Sequence, residues 1–244
     1  MARMADPRRR SHAPGQGTRR RARPPRSRRR PLELSEDIVR ELQATARPGK
    51  GSIAATVFAQ AAAAFAEEDF EEAVRLGEQA KHIALRATAV RELLGLAYYR
   101  SGRFREAARE LAAFRRISGS VEQNPVLADC QRALGRPGRA VELCDEVTPA
   151  AVPEATFYEA QIVAAGALAD LGRVGDAIAR LERLDLEPGT VREHHLRAWY
   201  ALAGLLEHRG RFTQARRLFE AVAATDPELS DAAERVARLA GRTS

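Results

Sequence analysis

Only two cysteines, Cys130 and Cys144, occur in 244 residues. They supply no disulfide framework, and neither has the partners that a zinc site needs. Both stand among apolar residues, so buried, reduced thiols behaving as small hydrophobes are expected. Aromatic residues are scarce as well, at 5% with a single Trp. A core built mainly of Ala, Leu and Val favours close-packed helices over a sheet, which would draw on Val, Ile, Tyr and Thr. Long apolar runs are missing: AAAAFA at 61–66 is far short of the ~20 residues that span a bilayer. The basic N-terminus runs into Pro and Arg with no apolar segment behind it, so no secretory or twin-arginine signal is read there. A cytoplasmic setting with no transmembrane segment is the expectation.

Catalytic signatures are also wanting. There is no G-x-G-x-x-G after a strand, no P-loop, no H-E-x-x-H, and no nucleophile spaced from a base and an orienting group. His194 and His195 are adjacent at a predicted helix start and point roughly 100° apart, so they are not expected to share a metal from one face. No enzyme activity, metal or cofactor is expected.

The net charge of +7 divides unevenly. Residues 1–31 carry twelve arginines against one acid, Asp6, which makes that segment +11 and leaves 7 − 11 = −4 for residues 32–244. Rich in Pro, Gly, Ser and Arg, the segment cannot bury enough apolar area to offset its ordering entropy, and a disordered basic arm is expected. Arg19, Arg20, Arg21, Arg23, Arg26, Arg28, Arg29 and Arg30 are its candidate phosphate contacts to RNA or DNA. No aromatics are interleaved to stack on bases. Contact with anionic lipid, with the acidic body, or with nothing at all stays open.

A helix is predicted to start sharply after Ser35, with Glu36 and Asp37 in its first turn and Pro48-Gly49 ending it. The organisation read here is an arm at 1–31, a helix and linker at 32–49, and a repeat region at 50–244. The repeat appears when "SGRFREA" (101–107) is set above "LGRPGRA" (134–140), "LGRVGDA" (171–177) and "RGRFTQA" (209–215). An earlier copy, "EEDFEEA" (67–73), keeps the aromatic and the alanine but lacks the glycine. The closing alanines Ala73, Ala107, Ala140, Ala177 and Ala215 lie 34, 33, 37 and 38 residues apart. Each unit reads as an amphipathic helix, a glycine able to adopt the left-handed conformation, an apolar residue, and a small residue where a second helix crosses the first.

This pattern resembles the tetratricopeptide repeat, W-x2-L-G-x2-Y then A-x3-F then P. Leu94, Gly95, Tyr98, Ala107 and Leu111 match it in "LLGLAYYRSGRFREAAREL". Trp199, Leu202, Ala203, Ala215, Phe219 and Pro227 match it near the C-terminus. Gln60, Gly77 and Gln161 depart from it at core-type positions. The chain as a whole resembles actinobacterial proteins of this class. The resemblance implies an all-α, right-handed α-solenoid of about five helix pairs: 54–87, 88–121, 121–154, 158–191 and 196–229. A last helix, capped by Ser230 with Ala232, Ala233, Val236 and Leu239 inward and Glu234, Arg235, Arg238 and Arg242 outward, would close it.

What the resemblance further implies is a non-enzymatic scaffold that binds a protein or peptide segment in a concave groove lined by the first helix of each pair. The groove candidates are Phe58, Phe65, Glu92, Leu96, Tyr99, Arg100, Asp129, Arg132, Ile162, Asp170, Arg197, Tyr200, Glu207 and His208. Tyr99 and Tyr200 are candidate aromatic anchors, with packing against a neighbouring helix as their alternative. Phe58, Ala62, Leu96, Glu122 and Val126 stand where a clamp for a terminal carboxylate would need Lys, Asn and Arg, so that clamp is excluded.

Overall fold

In the computed structural model, which describes residues 32–242, every regular element among the described residues is an α-helix. The arm with its arginines Arg19 to Arg30 lies outside the described residues. The helices are α1 (Glu36–Thr45), α2 (Gly51–Ala66), α3 (Phe70–Ile83), α4 (Thr88–Arg100), α5 (Phe104–Ser118) and α6 (Asn124–Ala133). They continue with α7 (Pro137–Asp145), α8 (Glu154–Asp170), α9 (Val174–Leu181), α10 (Glu193–His208), α11 (Phe212–Thr225) and α12 (Ala232–Leu239). Five hairpins result, α2–α3 through α10–α11, and each packs on the next to make a solenoid. No described helix is long and apolar enough to cross a membrane.

The local chemistry behind the phasing is direct. All five closing alanines are completely buried where the second helix crosses the first. Gly102, Gly135, Gly172 and Gly210 turn the chain between the two helices at φ of 73°, 75°, 77° and 78°, a region open to glycine at little cost. In the first repeat Glu68 occupies that place and adopts φ 59° all the same. Gly95 serves a different need: a Cβ there would sit 2.4 Å from Leu111 Cδ2, so its absence lets α5 close on α4. Gly77 has the same logic in reverse, because Leu94 fills the space its side chain would take, at 2.8 Å from an ideal Cβ. Gln161 is buried where a tryptophan would stand, with its Oε1 accepting from Arg180 Nε at 2.8 Å.

Charge is also buried. Glu110, 3% exposed, accepts from Lys81 Nζ at 3.1 Å and Arg91 at 2.5 Å, tying α5 to α3 and α4. Glu78 accepts from the same Lys81 and from the Tyr98 hydroxyl. Burial works against the Glu78 carboxylate, but these two bonds outweigh it and hold its pKa below the ordinary value.

The two ends differ from each other. At α1, Ser35 accepts from the Ile38 N–H and Leu42 is completely buried, as its sequence implies. At α12 the expectation is corrected. The helix starts at Ala232 after Asp231, the Ser230 hydroxyl is buried without capping it, and Ala233 is exposed. Arg235 turns inward because two carboxylates, Asp231 at the start of its own helix and Glu207 on α10, hold its guanidinium.

Candidate functional site: the inner face of the repeats

The first helices of successive hairpins, α2, α4, α6, α8 and α10, lie side by side and form one face. Tyr99 on α4 donates its hydroxyl to Asp129 Oδ2 on α6 at 2.8 Å. Arg132 on α6 binds Asp129 at 3.0 Å and Asp170 on α8 at 2.9 Å. Gly166 makes this reach fit, since a Cβ there would meet the Arg132 guanidinium at 2.7 Å. Arg197 on α10 pairs with Glu159 on α8 at 2.8 Å. Tyr200 donates to Asp231 at 2.5 Å, and Glu207 accepts from Arg235 and Arg238. Glu92 accepts from Gln123 Nε2 at 2.8 Å.

The candidate residues therefore divide. Asp129, Arg132, Asp170 and Arg197 join Tyr99 in ladders that tie one repeat to the next, and Tyr200 and Glu207 tie the last repeat to α12. Leu96 and Ile162 are half-buried, Arg100 pairs with Glu68 at 3.2 Å, and His208 is exposed at the end of α10. Phe65 packs edge-on to Phe70, ring centroids 5.5 Å apart.

Phe58 is a correction: at 4% exposure it belongs to the buried cluster that includes Leu42, against which Leu34 and Ile38 pack. The reason is the course of residues 32–45. The Leu32 N–H reaches the Ala59 carbonyl on α2, and Glu41 on α1 accepts from the Thr88 N–H (2.6 Å), the Thr88 hydroxyl (2.5 Å) and the Ala89 N–H (3.2 Å). A carboxylate there satisfies free donors at the positive end of α4. Thus the segment passes from α2 to the start of α4, and the inner face is open mainly from α4 onward.

Between α6, α8 and α10 that face contains an open cavity of about 470 Å³. Pro125, Val126, Ala155 and Thr156 form its weakly polar walls, and Glu122, Gln123, Glu159, Arg192, Glu193, His194 and Arg197 its charged and polar parts. Burial pushes the Glu159 carboxyl above its ordinary pKa; Arg197 opposes this, while Asp129 and Glu193 add to it. Burial likewise raises Glu92, with Gln123 opposing and Glu122 and Glu41 adding. Sequence reasoning leaves Glu159 out, although its register holds the signal: it stands 18 residues before Ala177, as Arg197 stands 18 before Ala215.

The adjacent histidines are the second correction. Their rings lie 4.1 Å apart between centroids, and their nitrogens gather with a Glu154 oxygen within 4.8 Å. Tyr158, packed 4.7 Å from His194 and 5.1 Å from His195, brings them together, which helix periodicity alone does not predict. The donor set nevertheless suits a structural role. His195 Nδ1 accepts the Arg192 N–H at 3.0 Å, which leaves the neutral ring's proton on Nε2. Burial, and after it His194, lowers the pKa of His195 and keeps it neutral. The Arg192 guanidinium already holds Glu154 at 3.1 Å. A cation on His195 would have to displace the bond from the Arg192 N–H.

The thiols are inert by placement. Cys130 and Cys144 are completely buried, and burial pushes both up to about 12.

Comparison with known proteins fits this architecture. The family model described as tetratricopeptide repeat matches residues 168–240, which run from the end of α8 through α12. Over those residues the chain carries the tetratricopeptide repeat. The tetratricopeptide-repeat protein TTC0263 of Thermus thermophilus is 16% identical, with 77% of this chain and 98% of that one covered at a TM-score of 0.57. YrrB, described as a TPR protein with an unusual peptide-binding site, is 16% identical over 73% of this chain and 89% of its own, at 0.52. MamA is 18% identical over 74% and 96%, at 0.53. Such identities make this a likeness of fold. A segment of 156 residues is 31% identical to the Vi polysaccharide export protein VexE of Salmonella typhi, and the match covers 62% of this chain. It spans only 23% of that protein's length.

Proposed function

We propose that this repeat chain is a non-enzymatic interaction scaffold that holds a segment of a partner protein against the inner face running from α4 to α10. The observation that carries the reading is the open cavity between α6, α8 and α10, with weakly polar walls set among charged groups. An anchor side chain seated between such walls, surrounded by polar contacts, is the arrangement that gives protein interfaces their affinity and register. The ladders from Tyr99 to Asp170 support it from the side of rigidity. A face already braced loses little further entropy when a segment docks. The similarity to YrrB, whose description includes a peptide-binding site, agrees with the reading at the level of fold.

The test compares two exposed positions, each in a different open cavity. Ala155 lines the inner one, whereas Arg139 lines a cavity of about 510 Å³ among α5, α6 and α7. Partners recovered by the full chain are expected to be lost with Ala155→Trp and kept with Arg139→Trp, at unchanged melting temperature. Retention of every partner by Ala155→Trp rejects the assignment.

A further inference from the structure

We infer that the segment held in this cavity presents a basic side chain, Lys or Arg, to the inner face; this rests on the reading of that face as the docking surface and adds the chemistry of its occupant. Charge over the cavity and its border is unevenly paired. Each arginine there already has an acidic partner: Arg192 holds Glu154, Arg197 holds Glu159, and Arg132 is shared by Asp129 and Asp170. On the acidic side Glu122 and Glu193 line the cavity, and Glu92 adjoins it through Gln123. None of these three carboxylates forms an ion pair with a cation among the described residues. The surplus on this surface is therefore negative, and among the described residues no arginine there is left free to receive an acidic segment.

Shape agrees with charge. Pro125, Val126 and Ala155 offer a surface for the methylene stem of a long basic side chain, whose head group would then meet carboxylates at the rim. The raised pKa values of Glu92 and Glu159 describe the same deficit, since burial and neighbouring acids disfavour their charged forms. A docked cation favours those charged forms, so binding is linked to proton release and weakens as pH falls. Glu92 and Glu159, half removed from water, interact with a cation more strongly than the exposed Glu122 and Glu193 do.

The experiment uses the full chain and two synthetic peptides of equal length, identical in Leu and Ala and differing only in two positions, Arg in one and Glu in the other. Fluorescence anisotropy gives the Kd of each. The Arg peptide is expected to bind about tenfold more tightly, equivalent to about 1.4 kcal/mol. Its affinity is expected to fall with acidification, and to fall severalfold in the triple variant Glu92→Gln, Glu122→Gln, Glu193→Gln. Ala155→Trp should abolish its binding, and Arg139→Trp should leave it unchanged. Equal affinity for the two peptides, or preference for Glu, overturns the inference. So does an Arg peptide that is blocked by Ala155→Trp yet indifferent to the triple variant; in that case the inner face remains the docking surface and only its charge preference is wrong. Insensitivity to Ala155→Trp places the peptide elsewhere and overturns both.

Discussion

The hydroxyl of Tyr99 donates to Asp129 across the boundary between the second and third hairpins, at 2.8 Å. Asp129 in turn meets Arg132, and Arg132 reaches Asp170 over Gly166, so one polar chain crosses three repeats. Burial, the Asp129 charge and the bond to it hold the Tyr99 phenol well above its ordinary pKa, so it stays a donor at any physiological pH. Tyr99→Phe removes one bond of this chain and is expected to cost about 1 kcal/mol. Urea unfolding checks this, and the cavity's partner should be retained.

Glu68 holds a left-handed backbone conformation that glycine takes in the other four repeats. A residue with a Cβ carries a penalty of about 1 kcal/mol there, and the exposed Arg100–Glu68 pair returns little of it. Glu68→Gly is thus expected to stabilise the chain, by up to about 1 kcal/mol, read as a higher urea midpoint at unchanged slope. A lower midpoint contradicts the account.

Glu110 neutralises Lys81 and Arg91 inside the first two repeats. Glu110→Gln leaves Arg91 without a carboxylate in a poorly solvated site, while Lys81 keeps Glu78, and is expected to destabilise by about 3 kcal/mol. Thermal unfolding followed by circular dichroism measures it. Truncation of an exposed pair such as Arg139–Glu142 should lie within about 0.5 kcal/mol of the parent.

Glu92 has a raised pKa in the folded state, from burial first and from Glu122 and Glu41 after it. Its contribution to stability is complete below the ordinary carboxylate range and is lost as pH rises through the elevated value. Glu92→Gln is therefore expected to be more stable than the parent at neutral pH, with the gap closing on acidification. Denaturant titrations at both pH values decide the sign.

Cys130 and Cys144 should both resist a thiol reagent in the folded protein, since each is completely buried with a pKa of about 12, and both should react once the chain is unfolded. Fast labelling of either thiol under native conditions contradicts the packing at α6 and α7.

Much of this fold is legible in the sequence because glycine and alanine report local backbone needs. Gly102 marks a positive φ and Ala107 a helix crossing wherever the repeat places them, without reference to the rest of the molecule. Helix length is less legible. α7 and α9 have nine and eight residues against fourteen and fifteen for α3 and α5. Still, Val147 is buried beyond the end of α7, so the apolar pattern continues where the helix does not. Contacts made by long side chains are the least legible. The Glu41 carboxylate that caps α4 and the Tyr158 ring that gathers His194 and His195 depend on where separate elements meet. Phe58 reads as a groove residue for the same reason, because nothing in its own repeat announces that residues 32–45 pack over it.

The inner face is tested most directly by photocrosslinking of the full chain to its recovered partner. A benzophenone-bearing residue is placed at Ala155 in the inner cavity and, separately, at Arg139 among α5, α6 and α7. The account predicts a crosslink to the partner from position 155 and none from 139, with the attached partner peptide containing Lys or Arg. Crosslinking from 139 alone would contradict it.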